Sequence, residues 1–78
     1  MIDIDLNFKD EDGWTAFHSA CFRGNEKIVV LLMESAETFK IDLTARNLCG
    51  KTGYQMAKSA RQYDIVNIIK RKMPEIAI

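Results

Sequence analysis

"DEDGWTAFHSACFRGNEKIVVLLM", Asp10 to Met33, is the stretch that decides the fold of this chain. Gly13 can take positive φ and close a tight turn, and Thr15, two residues on, is a residue type that caps a helix. From Thr15 to Phe22, the spacing of Ala16, Phe17 and Ala20 puts them on one side of a short helix, where the alanines allow a neighbouring helix to approach closely. Gly24 ends that helix and Asn25 caps the next. In "NEKIVVLLMESA", Ile28, Val29, Leu31 and Leu32 form an apolar stripe at helical spacing, expected to serve the core. The pattern predicts a turn, a helix, a tight reversal and a second helix.

Comparison of the chain with itself shows the same pattern again. Gly13 and Gly50 stand 37 residues apart, and at that offset Ile4 matches Ile41, Asp5 matches Asp42, Leu6 matches Leu43, Thr15 matches Thr52, Ala20 matches Ala57, Ile28 matches Ile65 and Val29 matches Val66. These are eight identities in a 37-residue window, where background residue frequencies give about two. An internal repeat of this length points to stacked copies of one unit, repeat 1 over residues 4–40 and repeat 2 over 41–77. The second copy has its own two helices, "TGYQMAKSA" (Thr52 to Ala60) and "QYDIVNIIKRK", with Ile65, Val66, Ile68 and Ile69 as the stripe.

The repeat settles a tempting motif. Gly50-Lys51-Thr52 is the ending of a phosphate-binding loop, but that loop needs a glycine five positions earlier, and Ala45 stands there. Gly50-Lys51-Thr52 is instead the second copy of Gly13-Trp14-Thr15, a turn leading into a helix. No nucleotide or other cofactor is implied.

Composition narrows the classes further. The 78 residues are 47% apolar and 28% charged, with one proline and four glycines, which suits a single folded unit rather than a disordered one. A chain this short buries only about 60% of its unfolded surface. Eleven basic and eleven acidic side chains cancel, so no overall field recruits nucleic acid or a membrane surface. The charge is nonetheless polarised, −4 over residues 1–40 and +4 over 41–78, which favours head-to-tail contact. Cys21 and Cys49 fit neither a disulfide framework nor a metal motif, and reduced thiols in a cytoplasmic or nuclear protein are the expectation. The acidic start "MIDIDLN" does not resemble a signal peptide, and "IVVLLM" is too short to span a bilayer.

The residues of the first copy closely resemble an ankyrin repeat, whose pattern runs Asp-x-x-Gly-x-Thr-Pro-Leu-His-x-Ala, a pair of variable residues, Gly, and then Ile-Val-x-x-Leu-Leu. Asp10, Gly13, Thr15, Ala16, Phe17, His18, Ala20, Gly24, Ile28, Val29 and Leu32 fill that register, with Ala16 for proline and Phe17 for leucine. The second copy departs from it: Asn47 replaces the aspartate, Gly53 the proline, Gln55 the histidine and Arg61 the glycine between helices. Lys70 stands where the first copy has Met33 and begins a polar "KRK", which resembles a carboxy-terminal cap. The period is four residues longer than the usual 33 or so, and the extra residues fall in "ESAETFKID", in the exit from the second helix or in the loop after it.

The resemblance implies an all-α stack of helical hairpins, a solenoid fragment with an extended β-turn connection between repeats, that binds another protein without catalysis. It implies a structural His18, hydrogen-bonded with Thr15 and nearby backbone. As the only histidine, His18 would have to serve any acid–base chemistry; Cys21 lies three positions along the same short helix, and nothing orients the pair as nucleophile and base. The family's variable positions carry Trp14, Phe22 and Arg23, joined at the turn tip by Glu11 and Asp12, and in the second copy by Leu48, Lys51 and Ser59. These eight residues are the expected protein-binding surface, aromatic and acidic in the first copy and more basic in the second. The alternative is a carboxy-terminal capping fragment of a longer array, whose neighbours are further repeats and which self-associates when isolated.

Overall fold

The computed structural model describes residues 5–78, so the opening of the sequence repeat at Ile4 lies outside the described residues. Within them the order is α1 (Ala16–Arg23), α2 (Glu26–Phe39), α3 (Gly53–Ser59), α4 (Tyr63–Lys72) and a short 3-10 turn, Pro74–Ile76. No strand occurs among the described residues. The inner helices α1 and α3 begin 37 residues apart, as do the outer helices α2 and α4, so the sequence period is also the period of the fold. Two helical hairpins stack side by side, α1 along α3 and α2 along α4.

Local chemistry sets the helix boundaries. Thr15 and Thr52 are N-caps with extended backbone, each accepting a hydrogen bond from the amide three residues on. The side chain at that third position, His18 or Gln55, returns a bond to the threonine amide, completing a capping box in both copies. Asn25 caps α2 through a 3.3 Å bond from the Ile28 amide. Gly24 ends α1 at φ 73°, and Arg61 takes the same left-handed conformation at φ 58° between α3 and α4, a strained state for a residue with a Cβ. Lys70, Arg71 and Lys72 occupy the last turn of α4, where positive charge complements the carbonyl end of the helix.

The four extra residues lengthen a helix rather than a loop. α2 has 14 residues and α4 has 10, and α2 stops at Lys40 in the left-handed region. From there Asn7 ties the leading segment to the connection between hairpins, donating to the Lys40 carbonyl at 3.0 Å and accepting from the Asp42 amide at 2.7 Å.

The core lies between the hairpins and within each of them. Phe17, Cys21, Val29 and Leu32 from the first meet Tyr54, Ala57, Ile65 and Ile69 from the second, with Ile76 closing the base. Here the expectation of two equivalent apolar stripes needs correction. In the second copy Ile65, Val66 and Ile69 are buried and Ile68 is half-buried, but in the first only Val29 and Leu32 are buried, while Ile28 is 39% and Leu31 56% exposed. The cause is one-sided stacking: α4 has α2 in front of it, and among the described residues α2 has nothing there.

Candidate protein-binding surface

Each hairpin is preceded by a turn of one design. In the first, the Gly13 amide donates to the Asp10 carbonyl at 2.9 Å and the Asp10 amide donates to the Trp14 carbonyl at 3.0 Å. The second repeats both bonds with Gly50, Asn47 and Lys51. A side-chain oxygen fills each turn: Asp10 Oδ1 accepts from the amides of Asp12 and Trp14, and Asn47 Oδ1 from those of Cys49 and Lys51. Aspartate and asparagine serve equally here because the turn needs only an acceptor. The Leu48 amide donates to the Asp12 carbonyl at 3.0 Å, so the two tips stand side by side as one rigid edge.

Onto that edge the fold brings pairs of side chains. Trp14 follows the first turn glycine and Phe22 lies near the end of α1, and their rings meet edge-on with centroids 5.2 Å apart, a favoured aromatic geometry. Trp14 also leans on the His18 ring at 6.3 Å. At the matching positions of the second copy, Lys51 Nζ donates to Ser59 Oγ at 3.2 Å. The same bridge from turn to inner helix is thus aromatic in one repeat and polar in the next. Trp14 is half-buried, Phe22 is 42% and Leu48 78% exposed, and Glu11, Asp12, Arg23, Lys51 and Ser59 are all exposed.

His18 sits behind this surface and holds it in place. Its Nδ1 accepts from the Thr15 amide at 3.0 Å, which assigns the ring hydrogen to Nε2, and Nε2 donates to the Lys51 carbonyl at 2.7 Å. Both ring nitrogens are engaged, and burial pushes the Cys21 thiol up to about 12. A nucleophilic cysteine needs a lowered pKa and a base with a free nitrogen, and this pair has neither. No group of three or more potential metal ligands occurs among the described residues, and none of their helices is long and apolar enough to cross a membrane.

Gln62 is a contributor that reading the sequence misses. It occupies the position of Asn25 in the second copy but makes no cap to its own helix. Its longer side chain reaches across to donate to the Phe22 carbonyl at 3.0 Å, fixing the end of α1 from which Phe22 and Arg23 project. Only the substitution of Gln for Asn hinted at it. Cys49 is likewise exposed on the second tip, beside Leu48.

The family model for ankyrin repeats (3 copies) matches residues 1–77 of the chain. Among curated proteins, the ankyrin repeat domain-containing protein SOWAHB of Xenopus laevis is 29% identical over 68 residues, covering 87% of this chain and 8% of its own length. Alpha-latrotoxin-Lh1a of Latrodectus hasselti is 34% identical over 70 residues, covering 90% of this chain and 5% of its own. Calmodulin-binding transcription activator 6 of Arabidopsis thaliana is 37% identical over 57 residues, covering 70% and 7% respectively. The chain therefore spans less than a tenth of the length of these relatives.

Proposed function

Because the chain belongs to the ankyrin repeat family, whose members generally mediate protein–protein contact, we propose that it binds a protein partner through its turn tips and inner helices, without catalysis or cofactor. The observation that carries this is the Trp14–Phe22 pair, two large rings held edge-on at 5.2 Å on a hydrogen-bonded scaffold. Exposed aromatic anchors of limited freedom are the usual centres of protein interfaces, because little entropy is lost when they are covered. Arg23 and the Glu11–Asp12 tip supply charge around the anchor, and Leu48, Lys51 and Ser59 extend the surface into the second repeat. The natural setting of such a partner is the cytoplasm or nucleus. Selecting binders from a displayed peptide library on the immobilised chain tests this. Ligands that lose binding at least about tenfold on Trp14→Ala or Phe22→Ala support it, and ligands indifferent to both substitutions overturn it.

A second role as a carboxy-terminal cap is favoured by one substitution of hydrogen-bond partner. His18 reaches the Lys51 carbonyl in the turn of the following repeat; its counterpart Gln55 donates instead to the main-chain oxygen of Ile78 at 3.0 Å. The tail thereby stands in for a following turn. Lys58 and Lys70, both exposed, replace the buried Cys21 and Met33, as a flank facing water requires. In this reading residues 1–78 are one unit, with 4–40 as repeat 1 and 41–77 as the capping repeat. Deleting residues 74–78 should then unfold α3 and α4 ahead of α1, as read by hydrogen exchange; unchanged protection of α3 would rule the cap out.

A further inference from the structure

A groove lined by neither the turn tips nor the inner helices is built where the two copies part from their common period. Aligned by that period, Lys72 at the end of α4 matches Ser35, so Ala36 to Phe39 is the extra turn of α2. At the matching positions of the second copy the chain is no longer α-helical. Pro74 disfavours the helical conformation for the residue before it, and Met73 lies at φ −142° and ψ 68°. The chain then folds back through its 3-10 turn and buries Ile76. The added turn and the folded-back tail line one hollow of about 510 Å³, with the buried Ile41, Leu43 and Ile76 as its apolar floor. A second hollow of about 420 Å³ adjoins it, sharing Met73 and Glu75 and adding Met33, Glu34 and Lys72. The Ile41 amide donates to the Ala36 carbonyl at 2.9 Å, which ties the floor to the added turn.

The rim of this groove has one sign of charge. Glu34, Glu37, Asp42 and Glu75 are exposed around it, and Lys72 is the one base among the described lining residues, a local charge of −3 in a chain whose net charge is zero. Asp42 Oδ1 accepts from both the amide and the hydroxyl of Thr44 at 3.0 Å, which fixes that carboxylate at the rim, and its remaining lone pairs are free for a further donor. Ala36 and Met73 are half-buried walls, and a methionine side chain adapts its shape to what it covers. An apolar floor inside a polar rim is the layout of an interface. We propose that the groove binds a basic segment of a partner protein. One aliphatic side chain of that segment seats between Ala36 and Met73, and the lysines or arginines on either side of it meet Glu37 and Glu75. Four carboxylates select against acidic segments and anionic surfaces, because like charges across an interface repel. The groove shares no residue with the surface around Trp14 and does not depend on it.

The test titrates the full chain with the acetylated and amidated peptide Lys-Arg-Leu-Leu-Arg-Lys at low salt and follows the backbone amides by NMR. Kd should lie below about 200 μM, with the largest shifts at Ala36, Ile41, Leu43 and Met73. Replacing both leucines of the peptide by serine should weaken binding at least about tenfold, and raising the salt to about 0.5 M should weaken it at least about threefold. Glu37→Gln combined with Glu75→Gln should weaken it at least about fivefold; both side chains are exposed, so the variant should stay folded, as read by circular dichroism. Trp14→Ala should leave the affinity unchanged, which separates this groove from the concave surface and lets either proposal fail alone. No binding at about 1 mM peptide, shifts centred on Trp14 and Phe22, equal binding of the serine peptide, or indifference to the glutamine variant would each overturn the proposal. So would self-association of the free chain that the glutamine variant abolishes, since a second copy would then be the occupant.

Discussion

The Nε2 nitrogen of His18 lies 2.7 Å from the carbonyl oxygen of Lys51, 33 residues further on. One buried ring thus caps its own helix through Thr15 and fastens the turn of the next repeat. In the second copy Gln55 makes the same two attachments, to the Thr52 amide and to the Ile78 oxygen.

His18→Ala removes the ring from a site that is 1% exposed, leaving the Lys51 carbonyl and the Thr15 amide short of partners at a cost of about 2–4 kcal/mol. His18→Gln should cost less, about 1–2 kcal/mol, because glutamine already serves this geometry at position 55. Urea unfolding followed by circular dichroism measures both. Equal losses from the two variants would show that ring packing, and not the hydrogen bonds, dominates.

Cys21 is fully buried and Cys49 exposed, so a thiol reagent at neutral pH should label one cysteine quickly and the other only after unfolding. The Cys21 thiol ionises at about 12 in the folded chain, raised by burial from an ordinary 9.0. Below pH 9 both states hold the proton. Between about 9 and 12 the unfolded state gives it up and the folded state does not, so this group makes stability fall as pH rises, by at most about 1.4 kcal/mol per pH unit. Denaturant midpoints across that range, compared with Cys21→Ala, isolate the effect.

Gly13 and Gly50 share a φ of 78°, but a Cβ on Gly13 would stand 2.8 Å from the Leu48 amide nitrogen, whereas one on Gly50 meets nothing within 4 Å. Gly50→Ala should therefore cost only the backbone strain, about 1 kcal/mol. Gly13→Ala should cost about 2–3 kcal/mol, because it also pushes apart the two tips joined by the Leu48–Asp12 bond. Comparison of the two midpoints measures the contact between tips.

Gly53→Ala should destabilise by about 1–3 kcal/mol through its clash with the Phe17 ring, despite the better helix propensity of alanine. Adding Phe17→Leu should relieve the clash, so the double variant loses at least about 1 kcal/mol less than the two single losses combined. Strict additivity would show that the ring moves aside without cost.

Much of this architecture was written locally. The turn glycines, the threonine caps, the Gly24 stop and Asn25 cap, and the 37-residue period all appear in the structure where their residues place them. Such features depend on a residue's own φ and on hydrogen bonds to groups within about four positions, all of which lie within one short stretch. That Trp14 and Phe22, and likewise Lys51 and Ser59, share one side was implied by the resemblance to an ankyrin repeat, and the contacts within each pair are seen in the structure. The bond by which Gln55 completes a capping box was present as a Thr-x-x-Gln pattern that the threonine alone represents only in part.

Other features depended on what stands next to each element. Ile28 and Ile65 carry the same side chain on the same kind of stripe, and no local rule could tell that one is 39% exposed and the other 1%. The four extra residues could have made a loop, and the structure instead places them in an α2 that runs on to Phe39. Asn25 caps its helix while Gln62 reaches across to Phe22, a choice that exists only once two hairpins are in contact. By itself, the sequence determined where each hairpin turns, starts and stops, because backbone conformation answers to near neighbours. Only the tertiary structure decided which side of each hairpin is covered, because burial is a property of the pair of surfaces that meet.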